Sequence, residues 1–222
     1  MKNYTKLFFL ALFFFILSAV SCKKTDSNEV VKGESKVKMV NAVLTEPYQN
    51  VFVDGEKLTV TALNFGETTD YVKISSGSRN VSFVNANNTS IIADLNFTPS
   101  ITYTTFLISD RAGMKELIKY EDNLSNNESS KIKIKFINLT PYFNTGINVT
   151  LQAGTQFVNA LQFKEESAYF TIDPGINLRF NVVGSGSIKT IDNASLMPNK
   201  IYTIWFSGLT AATLEAHIIT DN

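Results

Sequence analysis

Apolar residues are distributed along this chain in two ways. From Leu7 to Val20 they form one nearly continuous run, LFFLALFFFILSAV. From Lys36 onward they come in short runs that alternate with polar residues, such as Val51-Phe52-Val53 and Tyr71-Val72-Lys73-Ile74, with turn-forming residues between them. A period of two places alternate side chains on opposite faces of a strand. No segment sustains the 3.6-residue period of an amphipathic helix, and Val, Ile, Thr and aromatic residues are abundant, so the pattern predicts an all-β fold.

The alternating region repeats itself. Lys36-Val37-Lys38-Met39-Val40-Asn41-Ala42 returns as Lys133-Ile134-Lys135-Phe136-Ile137-Asn138-Leu139, with charge, apolar and Asn positions coinciding. Glu46-Pro47-Tyr48-Gln49-Asn50 returns as Thr140-Pro141-Tyr142-Phe143-Asn144, and Tyr71-Val72-Lys73-Ile74 as Tyr169-Phe170-Thr171-Ile172. Asn80-Val81-Ser82-Phe83 matches Asn177-Leu178-Arg179-Phe180, and Ile101-Thr102-Tyr103-Thr104 matches Ile201-Tyr202-Thr203 with a shift of one. A period of roughly 95 residues is too long for a solenoid unit and fits a small domain in tandem. The polar stretch 123–130, NLSNNESS, separates the copies, which gives domains at 36–122 and 131–222 joined by a linker.

Turn signals punctuate each copy. Asp54-Gly55 after Val51-Phe52-Val53 is a hairpin dipeptide. Ser76-Gly77-Ser78 and Asp173-Pro174-Gly175 occupy equivalent places and suit tight turns. The long apolar runs Ile101–Ser109 and Ile201–Ser207 read as central strands, and Trp205, aligned with Phe106, reads as core. About seven or eight strands per copy suit two tandem immunoglobulin-like antiparallel β-sandwiches.

The continuous run has another meaning. Lys2 and Lys6 precede it without an acid, and its length fits a signal peptide rather than a membrane-spanning helix. It ends Ser18-Ala19-Val20-Ser21-Cys22, which resembles a lipobox, although Ala19 stands where Leu is usual. The reading is a lipoprotein signal at 1–21, with Cys22 lipidated as the first mature residue; plain secretion or a retained anchor are the alternatives. Cys22 is the only cysteine, and lipidation removes a thiol that would be a liability in an oxidising compartment. Acyl chains hold a protein at a membrane at about 0.8 kcal/mol per buried methylene. Residues 22–35 are polar and of mixed charge, the composition of a flexible tether. Lys23 rather than Asp after the cysteine points, by resemblance to lipoprotein sorting, to the outer membrane; the periplasmic or cell-surface face stays open.

Charge narrows the partners. The full chain has 20 basic and 20 acidic residues. Removing the leader takes only Lys2 and Lys6, so the mature chain carries about −2. That balance lacks the basic stripe nucleic acid requires.

The starts KVKMVNA and IKIKFIN, the Pro-bearing loops, the VFVDG hairpin, the NFGETTDYVKISSG block and the ITYTTFLIS strand together resemble the domain-of-unknown-function 4397 family. The resemblance covers nearly all of 36–222. It is looser in the second copy, where the Asp-Gly turn becomes Gln152-Ala153-Gly154. It implies tandem β-sandwiches of bacterial envelope proteins, including Bacteroidetes lipoproteins, and no established activity. Many members carry an Asp in the Pro-bearing loop; EPYQN and TPYFN here do not.

Residue constellations for catalysis are sparse. The single histidine, His217, has no G-x-S-x-G serine and no companion zinc ligands, so it reads as a strand-end or packing residue. Glu165-Glu166 would point to opposite strand faces, and Asp54 with Glu56 flanks a turn glycine, so neither makes a glycosidase pair. Asn85-Ala86-Asn87-Asn88 lacks the charge of a calcium loop. Gly184-Ser185-Gly186-Ser187 lacks the lysine and helix of a phosphate loop and reads as a hairpin turn.

The expectation is therefore a non-enzymatic, lipid-anchored envelope protein, with no cofactor and no metal, acting as a binding or structural module. An accessory glycan-binding lipoprotein of a polysaccharide-uptake system is the alternative. Candidate contact residues for a protein or glycan ligand are Tyr48, Tyr142 and Phe143, aromatics in equivalent Pro-bearing loops; the competing reading tucks these rings over the sandwich ends as core plugs.

Overall fold

Strand pairing follows the alternation read above. The computed structural model describes residues 33–152 and 154–222, so Cys22, the leader and most of the tether lie outside the described residues. The first copy forms β1 (Glu34–Asn41), β2 (Asn50–Val53), β3 (Glu56–Lys57), β4 (Val72–Ser75), β5 (Gly77–Val84), β6 (Ser90–Phe97), β7 (Thr102–Ser109) and β8 (Lys115–Asp122). The second forms β9 (Ile132–Asn138), β10 (Ile147–Leu151), β11 (Gln156–Leu161), β12 (Phe170–Ile172), β13 (Leu178–Val182), β14 (Lys189–Ile191), β15 (Ile201–Ser207) and β16 (Glu215–Thr220). No α-helix occurs among the described residues. The protein is all-β, two sandwiches in tandem, as the sequence predicts.

Each copy builds the same two sheets. The outer sheets run β3-β2-β5-β6 and β11-β10-β13-β14; the inner sheets run β4-β1-β7-β8 and β12-β9-β15-β16. β1 pairs β7 in parallel, from Lys36↔Thr102 to Asn41↔Leu107, and β9 pairs β15 likewise; the other pairings are antiparallel. Asp54 (φ 50°) and Gly55 (φ 81°) both take the left-handed region, as a type I′ hairpin turn requires. Gly77 (φ 93°) and Gly175 (φ 83°) sit in the tight turns expected, and these turns change sheet. Gly77 opens β5 directly after β4, and Gly175 lies between β12 and β13, so at each the chain turns a corner from inner to outer sheet.

Three apolar layers hold the stack. Val37, Met39, Phe83, Tyr103 and Leu107 fill the first sandwich, and Ile134, Phe136, Phe180, Tyr202 and Phe206 the second. The third layer lies between the two inner sheets: Val40, Phe106, Ile108 and Tyr120 of the first copy meet Ile137, Leu139, Trp205 and Ile219 of the second. This layer explains why β7 and β15 are apolar at successive positions: both of their faces are covered. Trp205 is fully buried in this seam, where Phe106 and Phe65 meet it edge-on and His217 stacks on it at 3.9 Å. Burying a ring of ~150–250 Å² contributes at most about 4–6 kcal/mol.

The pairing also fixes which end is which. β1 begins opposite the start of β7 and the end of β8, so Glu34, Asp122 and the linker share one end. The loop after β1 and the β7–β8 turn share the other. The second copy repeats this polarity. Its ends meet their counterparts, with Lys38 reaching Asp221 near the first end and Glu116 reaching Lys164 near the other.

Candidate functional site

The loop end is assembled around two asparagines that the repeat had marked. Fully buried, Asn41 donates from its carboxamide to the Glu46 carbonyl (2.6 Å) and the Leu63 carbonyl (3.2 Å), and accepts from the Val43 amide (3.1 Å). Asn138 donates to the Leu161 carbonyl (2.9 Å) and accepts from Thr140 (3.0 Å). Each asparagine thus anchors the start of a Pro-bearing loop to the loop preceding β4 or to the end of β11.

In the first loop Glu46 gathers further partners. Lys115, across the β7–β8 turn, forms an ion pair with it, Asn85 donates to it at 3.1 Å, and Gln49 at 3.3 Å. The Lys115 hydrogen bond, followed by that of Asn85, holds the Glu46 carboxyl below the usual carboxylate range. Two residues on, Tyr48 takes φ 58° and is 58% exposed. A bulky residue in left-handed backbone is an outlier held by its surroundings; here the held loop presents the ring to solvent.

The second loop is similar with one difference. Tyr142 is 36% exposed, and Arg111 from the first copy lies over its ring at 6.0 Å while donating to the Tyr142 carbonyl (2.8 Å) and Asn144 Oδ1 (3.4 Å). Phe143 is 9% exposed and packs into the second sandwich core. Its aligned neighbour in the first copy, Gln49, is buried as well. In both loops the chain turns the tyrosine out and the next side chain in. Phe143 is therefore a core plug, and of the three aromatics the two tyrosines face solvent.

A family model for Domain of unknown function (DUF4397) matches residues 35–145. The chain belongs to the DUF4397 family. The match spans the first sandwich and the opening strand and loop of the second, so both Pro-bearing loops fall within it. Among curated proteins no match is found.

A second feature of this DUF4397 protein was missed by sequence reasoning. Near the other end of the seam, Lys38 pairs with Asp221 and Lys135 with Asp122, each at 3.0 Å, with all four side chains at 5% exposure or less. Thr104 donates to Asp122 and Thr203 to Asp221, both at 2.7 Å. Lys38 lies 4.2 Å over the Tyr71 ring and Lys135 5.4 Å over that of Tyr169. The Tyr71 hydroxyl is 2.9 Å from Asp122 and 3.2 Å from Asp221. Burial raises the Asp221 carboxyl above its ordinary range, Lys38 opposes this, and Asp122 adds to it. Burial works against the Lys135 ammonium, but Asp122, Tyr169 and Glu166 outweigh it and hold its pKa above the ordinary lysine value. Burial also pushes the Tyr169 hydroxyl up to about 12. The signal lay in the repeat: Lys38/Lys135 and Tyr71/Tyr169 coincide, and each copy closes on an aspartate.

His217 sits in the seam, its Nε2 2.8 Å from the Ser207 hydroxyl. Of the acidic candidates, Glu165 accepts from the Gln162 amide at 2.8 Å and Glu166 pairs with Lys135. Among the described residues no three His, Cys, Asp or Glu side chains cluster as metal ligands.

Proposed function

We propose that this protein is a non-enzymatic, lipid-anchored envelope protein that displays a binding surface on its loop end. The observation that carries the reading is positional. The first strand begins at Glu34, on the end opposite the Pro-bearing loops. The exposed rings of Tyr48 and Tyr142, with Arg111 beside the latter, lie on that far end. A tether from a lipidated Cys22 would join the first end and leave the loops facing away from the membrane. Rigid aromatics give contact area at low entropy cost, and the Glu46 and Asn41 bonds supply the rigidity.

Mass spectrometry of the membrane-extracted protein tests the anchor: a diacyl- or triacyl-modified Cys22 is expected, and a free thiol there, or an uncleaved leader, rejects it. A glycan array and an envelope-protein array probed with the parent chain and with Tyr48→Ala and Tyr142→Ala test the surface. Glycan binding lost in both variants selects the polysaccharide-uptake role. Protein binding lost in both selects adhesion, and binding unaffected by either removes the loop end as the site.

A further inference from the structure

The duplication offers an internal comparison, and the two sandwiches differ along one flank. In the first, β6 pairs β5 continuously from Gly77↔Phe97 to Val84↔Ser90 and packs along β8. In the second, β14 pairs β13 only from Leu178↔Ile191 to Phe180↔Lys189. A groove of about 380 Å³ lies between β14 and β16.

The strand registers identify what opened it. Ile91 sits opposite Phe83 in the first copy; Lys189 sits opposite the equivalent Phe180. Leu117 sits opposite Leu107; Ala216 sits opposite the equivalent Phe206. Lys119, whose ammonium covers the Tyr103 ring at 4.2 Å, is replaced by Ile218. Leu117 belongs to the first sandwich's core, and Ile91, partly buried, packs against it. At the corresponding place in the second copy the groove has an apolar floor of Phe180, Leu214, Ala216 and Ile218, and its walls are polar, with Lys189 and Asp192 on one side and Glu215 on the other.

β16 is the edge of its sheet. Asp221 donates its amide to Ile201 on β15 at 2.8 Å. Antiparallel pairing alternates hydrogen-bonded sides, so the N–H and C=O groups of Ala216 and Ile218 face away from β15. An unpaired row of this kind is a template for one more strand.

We propose that this groove receives an extended peptide segment of a partner protein, laid along β16 and placing an aliphatic side chain over Phe180 and Ala216. The free edge specifies the backbone conformation of the occupant. The first copy specifies the side chain, since Ile91 and Leu117 fill the equivalent volume there. The rim of Lys189 and Glu215 would orient neighbouring charged residues of the peptide.

The test uses the mature chain and a positional library of acetylated, amidated octapeptides. Ala216→Leu combined with Lys189→Ile installs the first copy's own side chains and closes the groove. Selected peptides are expected to carry an aliphatic residue at one fixed position. They should shift amide resonances confined to residues 189–195 and 214–218, and lose at least tenfold in affinity for the double variant. Should that variant fold poorly, Ile218→Lys, which copies Lys119, serves in its place with the same expected loss. No selected peptide, equal binding to the closed variant, or self-association of the chain through this flank in sedimentation would each overturn the proposal.

Discussion

Lys38 of the first sandwich and Asp221 of the second meet at 3.0 Å in a seam closed to solvent, and Lys135 with Asp122 repeats the contact with the copies exchanged. The duplication has thereby produced an interface with internal two-fold symmetry, in which each copy contributes one cation and one anion. The charges balance, and the Thr104, Thr203 and Tyr71 hydroxyls donate to the two carboxylates, leaving Asp122 Oδ1 to the Lys135 ammonium alone.

A buried ion pair is costly to break and cheap to replace. Removing one partner strands a charge at about 3–5 kcal/mol, whereas an apolar pair of similar volume is often neutral or stabilising. Asp221→Ala is therefore expected to lower unfolding stability by about 3–5 kcal/mol, and Lys38→Met with Asp221→Leu to recover most of it. Urea titrations of both variants check this; a single variant as stable as the parent would show that the pair carries little.

Trp205 is the only tryptophan and lies in the seam rather than in either sandwich core. Its fluorescence should report separation of the copies, while far-ultraviolet dichroism reports strand content. Coincident denaturation curves are expected if seam and sandwiches unfold together, and an earlier fluorescence transition would show the copies parting first. Trp205→Ala should destabilise by about 3–5 kcal/mol.

His217 is the only histidine. Burial lowers its pKa, with Glu215 opposing. The unfolded chain therefore takes up its proton first as pH falls below the ordinary histidine value, and the folded state later. Stability should be present at pH 7 and decline as pH drops through the window between the two values. Thermal melts from pH 7.5 to 5.5 check the slope, which His217→Phe should flatten.

Tyr48 occupies left-handed backbone at φ 58° with its ring exposed. A side chain there costs about 1–2 kcal/mol, from which glycine is exempt at an entropic cost of its own. Tyr48→Gly is expected to leave stability unchanged or raise it by up to about 1 kcal/mol while losing any ligand of the loop end. A clear loss of stability would mean that the ring packs rather than displays.

How far the sequence carried the fold can be judged from particular strands. β5 and β6 alternate, apart from the solvent-facing Ile92, because each has one face on the core and one on solvent. β7 and β15 carry successive apolar residues at Phe106-Leu107-Ile108 and Ile204-Trp205-Phe206, and such runs do not say what lies on the second face. The loop tyrosines were visible as paired positions. That Phe143 turns inward was not, because a loop carries no periodicity to separate the two directions.

Period-two patterning, the turn dipeptides and the repeat determined by themselves that this chain makes two copies of one β-sandwich, since backbone pleating and turn sterics act over a few residues. Tertiary structure alone decided that the inner sheets stack, that Lys38 and Lys135 find their aspartates in the other copy, and that β14 and β16 leave a groove. Those contacts join residues up to 183 positions apart, and their energy arises only when water is excluded between surfaces that no local pattern pairs.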